Sequence, residues 1–179
     1  MAMGLEKPGD QIVAKWLFKS EPEVFSFEQL LAAGKTGSEW TGIRNYGARN
    51  HMREMKLGDQ GFFYYSNQGK AVMGIVEVCN LAHVDSTAEN PTWECVDIRA
   101  VAALPRHVTL DEIKKDPKLK AMVLVVNSRL SVQPVTDAEW AHICNLAGRE
   151  FDRLRPLYSS AHGAYAGAAG ARAEAAPCP

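Results

Sequence analysis

Residues 40–45 combine four side-chain types that together suit the binding of a flat, charged ligand such as a nucleotide. Trp40 offers a ring for stacking, and Gly42 lets a ligand or another segment come close to the backbone. Arg44 and Asn45 stand at the beginning of a helical pattern, and the start of a helix favours anions. A purely structural interpretation is also open, in which these residues are a buried Trp, a turn Gly, a surface Arg and a helix-capping Asn.

Basic side chains are concentrated in the segment that follows. Arg49, Arg53 and Lys56 recur at helical spacing and form a basic stripe beside an apolar one. Residues 44–56 carry four basic side chains against one glutamate, a net charge of +3, whereas the whole chain carries -1. Such a local excess suits contacts to phosphate groups, which position a protein on nucleic acid. The alternative is an ordinary solvated helix face.

Two predicted strand ends offer further polar groups. The motif at 19–22 (Lys-Ser-Glu-Pro) follows a first strand, where Ser20 either lines the mouth of a pocket or belongs to a simple loop. In the aromatic run 62–67, strand alternation places Phe63 and Tyr65 on the same face. One face of this strand therefore packs, while the other is free to line a pocket.

The segment 128–135 alternates polar and apolar side chains. Arg129, Ser131 and Gln133 share one face of the predicted strand, and the aliphatic residues between them share the other. We expect the aliphatic face in the core. The polar face either meets solvent or frames a polar ligand, and the pattern is compatible with both.

The composition is that of an ordinary globular protein, with 179 residues, 46% hydrophobic and 23% charged. The length suits one domain of about 150 residues with tails. A net charge of -1 argues against wrapping long duplexes through charge alone. Binding of nucleic acid would instead need a local basic patch and a specific pocket.

The four cysteines, at positions 79, 95, 144 and 178, form no zinc-binding spacing. We expect Cys79 and Cys95 to be reduced, buried thiols. We expect no metal site and no cofactor. The sequence contains no pattern typical of a signal peptide or a membrane span, which predicts a cytoplasmic protein with no membrane partner.

The elements that must position these residues follow the order strand, helix, helix, several strands, helix, strand, helix. Capping boxes predict helices that begin after Ser26, Thr109 and Thr136, and an apolar stripe predicts another helix over 46–56. Strands are predicted at 14–19, 61–65, 71–79, 92–104 and 129–135, and the apolar run 122–126 is either a strand or a buried connection. The absence of regular βαβ alternation in this pattern favours an α+β fold with a small mixed or antiparallel sheet edged by helices.

Four motifs occur in an order and spacing that resemble the EVE domain, the domain of the thymocyte nuclear protein family and its bacterial relatives. They are Lys19-Ser20-Glu21-Pro22, Trp40-x-Gly42-Ile43-Arg44-Asn45, Phe63-Tyr64-Tyr65-Ser66-Asn67 and the stretch Ser128 to Val135. The resemblance implies a PUA-like fold, a small, strongly bent mixed β-barrel flanked by helices, similar to YTH domains. We therefore expect a loose lead-in over 1–11, the domain over 12–155 and a flexible Ala/Gly-rich tail over 156–179.

The resemblance also implies which residues form a base-binding pocket. Trp40 would be an aromatic wall, Thr41 and Asn45 would be hydrogen-bond partners, and Trp93 would be a second wall. The predicted pocket comprises Ser20, Trp40, Thr41, Asn45, Tyr65, Ser66 and Trp93. The predicted phosphate or polar contacts are Lys19, Arg44, Arg49, Arg53, Arg129, Ser131 and Gln133. Tyr65 replaces the His that is usual in the family, and its hydroxyl does not titrate near neutral pH.

The sequence thus predicts a non-catalytic module that binds DNA or RNA and reads a modified, methylated base, either flipped from a duplex or unpaired. One alternative is a general RNA-binding module without preference for modified bases. A hydrolase or nuclease needs a nucleophile with a base, paired carboxylates or a metal set, and the scattered histidines suggest none. A scaffold that binds partners through the tail is a third class, which the low hydrophobic content of the tail disfavours.

Overall fold

The computed structural model describes residues 13–148, which form a six-stranded sheet and short helices around it. The strands are β1 (Lys15–Ser20), β2 (Ser38–Glu39), β3 (Gln60–Tyr65), β4 (Ala71–Val84), β5 (Glu94–Thr109) and β6 (Val132–Val135). The helices are α1 (Phe27–Ala32), α2 (Tyr46–Glu54), α3 (Leu110–Lys115), α4 (Val123–Val126) and α5 (Asp137–Leu146), with a 3₁₀ turn at Gly34–Thr36. The predicted lead-in over 1–11 and tail over 156–179 lie outside the described residues.

The strands pair in the order β2-β5-β4-β3-β1-β6. β1 runs parallel to β3, and the other neighbouring pairs are antiparallel. Between β1 and β3 the chain passes through α1, β2 and α2, which supply the crossover that a parallel pair requires. The mixed sheet and its helices confirm the predicted α+β class and agree with a PUA-like fold.

The sheet packs one hydrophobic core on each of its faces. In β3, Phe62 and Tyr64 belong to one core and Phe63 and Tyr65 to the other, which confirms the predicted alternation. In the first core, Trp140 of α5 stacks on Phe62 with ring centroids 4.1 Å apart. Because both faces are covered, β3 needs no polar side chain between its aromatic residues.

Polar side chains fix the first turn of the longer helices. Ser26, Thr109 and Thr136 each form the predicted capping box, in which cap and N3 side chains bond each other's backbone amides. α2 begins at Asn45, whose side-chain oxygen accepts from the amide of Ala48. Within residues 13–148, each helix is too short or too polar to cross a membrane.

The hairpin of β4 and β5 is longer than predicted. The strands expected at 71–79 and 92–104 continue to Val84 and Thr109. Their ladder shifts register at several points. Each shift resets which side chains face the core, so an irregular polar and apolar pattern is still compatible with continuous pairing.

The segment between α3 and α5 also differs from the prediction. The apolar run 122–126 contains the short helix α4, and β6 begins at Val132 instead of at position 129. The amide of Leu130 donates to the carbonyl of Asn127, so this part of the chain turns before it pairs with β1. Arg129 therefore lies in a loop and not on a strand face.

Gly74 of β4 lies where the first side chain of α1 packs directly on the sheet. A Cβ added to Gly74 would stand 2.2 Å from Cζ of Phe27, the first residue of α1. The Phe27 ring also packs edge-on against Phe63 of β3, with centroids 5.3 Å apart. This contact holds α1, and with it the loop that precedes α1, against the end of β3.

Candidate functional site

A cavity of about 740 Å³ opens beside the carboxyl ends of β1 and β3. Its lining comes from the stretches 19–25, 38–43, 66–67, 86–87 and 128–131. Because β1 and β3 are parallel neighbours, the loops that leave them meet at the same edge of the sheet. The volume lies within the range of ligand pockets, about 300–1,000 Å³, so the cavity has room for more than one planar ring.

Half of the predicted site residues line this cavity, and half lie elsewhere. Those in the lining are Lys19, Ser20, Trp40, Thr41, Ser66, Arg129 and Ser131. Those outside it are Arg44, Asn45, Arg49, Arg53, Tyr65, Trp93 and Gln133. The structure therefore brings together parts of all four motifs and places the basic stripe of α2 away from the cavity lining.

Trp40 belongs to the apolar wall of the cavity and is 5% exposed. Phe18, Phe25 and Phe63 surround it edge-on, with ring centroids 5.3, 6.2 and 5.6 Å away. Little of the indole is therefore open for stacking. Its Nε1 is buried and has no hydrogen-bond partner within residues 13–148. Buried donors are normally paired, and an acceptor on a bound ligand would supply the missing partner.

Val24 and Phe25 extend the apolar wall from the loop between β1 and α1. Val24 is 73% exposed and Phe25 is half-buried. Sequence reasoning missed both residues, because an apolar side chain in a loop predicts a cavity only once the neighbouring walls are known. They give the cavity accessible apolar surface that Trp40 alone does not provide.

Two of the predicted polar residues brace the cavity through backbone contacts. The Ser20 hydroxyl donates to the carbonyl of Phe25 at 2.8 Å, and the Ser66 amide donates to the carbonyl of Ser20, also at 2.8 Å. Thr41 is exposed at the rim and has no hydrogen-bond partner among the described residues. Its hydroxyl is therefore open to a ligand, as are those of Ser128 and Ser131, for which the described residues supply no side-chain hydrogen-bond partner.

The lining contains two basic and two acidic side chains. The Lys19 ammonium donates to the carbonyl of Ser128 at 2.9 Å, and burial lowers the pKa of Lys19. Arg129 is exposed and forms no hydrogen bond or ion pair with another residue of the described range 13–148. Glu21 and Glu39 supply the acidic groups. Arg129 is therefore the cation of this lining that is available to an anionic ligand.

Asp85 holds the Trp40 segment against the loop that joins β4 and β5. Its carboxylate is buried and accepts from the Gly42 amide at 2.9 Å and from Arg44 at 2.8 Å. Burial alone would raise the pKa of Asp85, but hydrogen bonds from Thr87, Arg44 and Gly42 outweigh it and lower the pKa to about 2. No local sequence signal pointed to this role of Asp85, since Gly42 and Arg44 lie more than forty residues away in the chain.

The structure corrects the expectation that Asn45 and Tyr65 line the pocket. The Asn45 side-chain oxygen accepts from the Ala48 amide at 3.0 Å and caps α2. The Tyr65 hydroxyl accepts from the Phe27 amide at 2.8 Å and donates to Glu28 at 3.0 Å. Both side chains therefore satisfy the protein's own first helical turns. Burial also raises the pKa of Tyr65.

Trp93 is likewise placed outside the cavity and not as its second wall. It packs against Tyr46 of α2 with centroids 4.9 Å apart. Arg49 lies over the Tyr46 ring at 4.9 Å, and Arg44 lies over Trp93 at 5.9 Å. These four side chains form an arginine–aromatic ladder, which reaches the cavity rim where Arg44 approaches Thr87.

The remaining predicted polar contacts, Arg53 and Gln133, are engaged in the fold, although the buried Oε1 of Gln133 has no hydrogen-bond partner among residues 13–148. Arg53 pairs with Glu94 of β5, and this guanidinium lowers the pKa of Glu94. Gln133 is completely buried in β6, and its amide nitrogen donates to the carbonyl of Leu130 at 2.7 Å. The expected polar face of this strand is thus a buried position, because β6 pairs with β1 at the sheet edge and is covered on both faces.

The sequence model of the EVE domain matches residues 14–146. Thymocyte nuclear protein 1 from Homo sapiens is 35% identical over 167 residues, which cover 75% of this chain and 74% of that protein. The corresponding protein from Danio rerio is 36% identical over 169 residues and covers 76% and 73%. The motifs from which the resemblance was inferred thus lie within a match that spans nearly all of the described chain.

Solved structures show the same relationship. A protein from Agrobacterium tumefaciens is 55% identical and superposes with a TM-score of 0.76, covering 78% of this chain and 96% of that one. The human THYN1 protein, in a crystal structure with DNA that contains 5-methylcytosine, is 36% identical with a TM-score of 0.70. That alignment covers 76% of this chain and 99% of the human one. Matched in sequence and in fold across the residues that build the cavity, the chain belongs to the EVE domain family.

Proposed function

We propose that this protein is a non-catalytic reader of a methylated base in nucleic acid, and that the base enters the cavity beside β1 and β3. The cavity carries the proposal, because it combines an apolar aromatic wall with Nε1 of Trp40 and the guanidinium of Arg129, neither of which has a partner among residues 13–148. The family relationship supports the ligand class, since human THYN1 forms a complex with DNA that contains 5-methylcytosine. Such DNA is therefore the first ligand to test.

The apolar wall explains how a methyl group would be recognised. Val24 and Phe25 offer exposed apolar surface above the buried Trp40. Burial of one methyl group contributes about 0.8 kcal/mol, which corresponds to about a fourfold preference. Stacking of the base contributes about 1–3 kcal/mol to affinity and is shared by methylated and unmethylated bases. The preference for methylation is thus modest compared with the total affinity.

Polar groups at the rim would read the edge and the backbone of the nucleotide. Trp40 Nε1 donates only, so it fits a carbonyl or ring nitrogen of the base. Thr41 both donates and accepts. Arg129 would contact a flanking phosphate. The arginine–aromatic ladder of Arg44, Arg49, Tyr46 and Trp93 lies where the nucleic-acid strand would leave the cavity. The proposed reader does not use Ser20 as a nucleophile, because its hydroxyl donates to a carbonyl and not to a base.

Matched oligonucleotides test the proposal directly. DNA and RNA strands, single and paired, carry either 5-methylcytosine or cytosine at one position, and fluorescence anisotropy gives Kd at a fixed salt concentration. We expect about fourfold tighter binding to the methylated member of the DNA pair. Equal affinities within each pair would overturn the reading of modification and leave a general nucleic-acid-binding module. A new reaction product in any mixture would overturn the non-catalytic assignment.

Two equivalent substitutions separate the cavity from the rest of the fold. Trp40→Phe keeps an aromatic wall and removes Nε1, so we expect about three- to tenfold weaker binding. Trp140→Phe makes the same change at a buried indole of the other core, whose Nε1 is also unpartnered within residues 13–148. Trp140→Phe should leave Kd unchanged. Equal effects of the two variants would show that Trp40 acts through stability and not through the ligand.

A further inference from the structure

Three strands bring together side chains that sequence spacing did not connect. Glu39 of β2, His83 of β4 and Cys95 of β5 each place one potential metal-ligating atom within 4.8 Å of the others. The register explains this meeting, because His83 pairs with Cys95 and Glu39 pairs with Asp97, two residues further along β5. Cys95 and Asp97 thus share one face of β5, which lies between β2 and β4, and Glu39 and His83 stand beside them on those two strands.

The hydrogen bonds of His83 leave room for a cation at its Nε2. Its Nδ1 lies 3.0 Å from the carbonyl of Val84 and 3.7 Å from Oε1 of Glu39, which would turn towards Nε2 to bind a shared ion. Its Nε2 lies 2.8 Å from Oδ1 of Asp97 and 4.0 Å from Sγ of Cys95. The oxygens of Val84 and Asp97 are both acceptors, whereas a neutral imidazole carries one N–H. A backbone carbonyl on Nδ1 is a common way to orient a histidine that binds metal through Nε2.

We propose that His83 Nε2, Cys95 Sγ and a carboxylate oxygen of Glu39 bind a zinc ion. The combination of thiolate, imidazole and carboxylate is typical of zinc and disfavours Mg²⁺ and Ca²⁺, which prefer oxygen ligands. Two carboxylates, Glu39 and Asp97, face a single imidazole, so the cluster has an excess of negative charge without a cation. Zinc binding would release the thiol proton of Cys95. The ion would also replace the hydrogen bond between Nε2 of His83 and Asp97.

The geometry requires only small side-chain movements. Zinc bonds of about 2.0–2.3 Å imply separations of about 3.3–3.8 Å between tetrahedral ligands. Here Sγ of Cys95 lies 4.0 Å from Nε2 of His83, and one ligand atom from each of the three residues lies within 4.8 Å of the others. Asp97 Oδ1 stands beside Nε2 and can take the fourth position or orient a water molecule there. Glu39 also bonds Ser86 and lines the cavity, so an ion reaches the cluster from solvent along the cavity wall.

Cobalt titration tests the site on the untagged, reduced 179-residue protein. Co²⁺ substitutes for Zn²⁺, and a cysteine ligand produces a sulfur-to-cobalt charge-transfer band beside the absorption of tetrahedral cobalt. We expect one equivalent to bind and Zn²⁺ to displace it. His83→Gln and Cys95→Ser should bind at least tenfold more weakly, and Cys95→Ser should lose the charge-transfer band.

Matched thiols provide the controls. Cys79→Ser changes a half-buried cysteine of β4 that is not part of the cluster, and Cys178→Ser removes a thiol outside the described residues. Both should keep the band. The proposal is overturned if wild type shows no band, or if Cys95→Ser keeps it. If Cys95→Ser does not fold, His83→Gln replaces it as the test variant, because His83 is partly exposed. Zn²⁺ should then raise the melting temperature of wild type and leave that of His83→Gln unchanged.

Occupation of the site would change the charge of the cavity wall. Glu39 places a carboxylate where an anionic ligand is proposed to enter, and zinc would neutralise it. This consequence rests on the proposed function and predicts tighter oligonucleotide binding with Zn²⁺ in wild type but not in His83→Gln. If the protein binds cobalt but no oligonucleotide, the metal site stands and the proposed reading of a methylated base is overturned. If it binds oligonucleotide but no cobalt, only the metal site is overturned.

Discussion

The cations predicted to contact phosphate differ in the partners that they already have. Arg44 is paired with Asp85 and Arg53 with Glu94, so a phosphate would compete with a carboxylate at each. Arg49 donates to the carbonyl of Thr92. Arg129 lines the cavity without an ion pair to any residue of the described part of the chain. Of these arginines, Arg129 should therefore bind an incoming phosphate most favourably, because no carboxylate among the described residues competes for it.

We expect Arg129→Ala to weaken binding of methylated and unmethylated strands by the same factor. The loss of one phosphate contact should lower the slope of log K against log salt by about 1. Lys120→Ala removes the same charge from an exposed position outside the cavity and should change neither quantity. Titrations over a series of salt concentrations measure both. Loss of methyl preference in Arg129→Ala would contradict a contact to the backbone alone.

Single polar residues also show why residue type does not determine role. Asn45 and Tyr65 have the hydrogen-bonding groups that a base-reading pocket needs, yet they cap the starts of α2 and α1. Asp85 was not predicted, although it fixes the Gly42 amide at the cavity wall. For Asn45 the deciding partner is a local amide, three residues further along the chain, whereas the amides that Tyr65 and Asp85 bind come close to them only through the fold.

At the level of elements, the sequence predicts what local chemistry determines. Ser26, Thr109 and Thr136 each cap a helix at the predicted residue, because both partners of a capping box lie within four residues. The cluster of Glu39, His83 and Cys95 could not be predicted this way. It depends on two registers and on the bulges between them, which no local pattern specifies.

The capping box of α3 gives stability a pH dependence. Hydrogen bonds from Thr109 and Arg106 lower the pKa of Glu112 to about 2, from a reference value of 4.5. Because the pKa of Glu112 is depressed by folding, its ionised side chain stabilises the folded protein above pH 4.5, and this stabilisation is lost as the pH falls towards 2. We expect Glu112→Gln to reduce stability at pH 7 by less than about 1 kcal/mol, since the pair with Arg106 is exposed.

Urea unfolding at pH 7 and at pH 2 measures this effect. The difference between wild type and Glu112→Gln should shrink at the lower pH, because Glu112 is then neutral in the unfolded chain and about half protonated in the folded protein. Glu139→Gln is the matched control, because Glu139 fills the same position in α5 but has no ion pair with a residue of 13–148. A difference for Glu112→Gln that stays constant with pH would contradict the linkage.

For the whole molecule, the relevant feature is the span of chain that encloses the cavity. Among residues 13–148, the lining lies between residues 19 and 131. Deletion of 161–179 should therefore leave both Kd and the melting temperature unchanged. A longer deletion that also removes β6 and α5 takes Val132 and Trp140 out of the two cores and should abolish folding and binding. Weaker binding after the short deletion would show that the tail contacts the ligand.

The hydrogen bond from Lys19 to the carbonyl of Ser128 joins positions 109 residues apart. Arg129 and Ser131 complete the lining on the same late segment. During synthesis the chain emerges from its N-terminus, so the motifs at 19–22 and 40–45 leave the ribosome long before the wall that encloses them. A nascent chain therefore cannot capture a base in this cavity until residue 131 has emerged. Ligand capture would therefore await the late segment that encloses the cavity, even where translation and nucleic acid share one compartment.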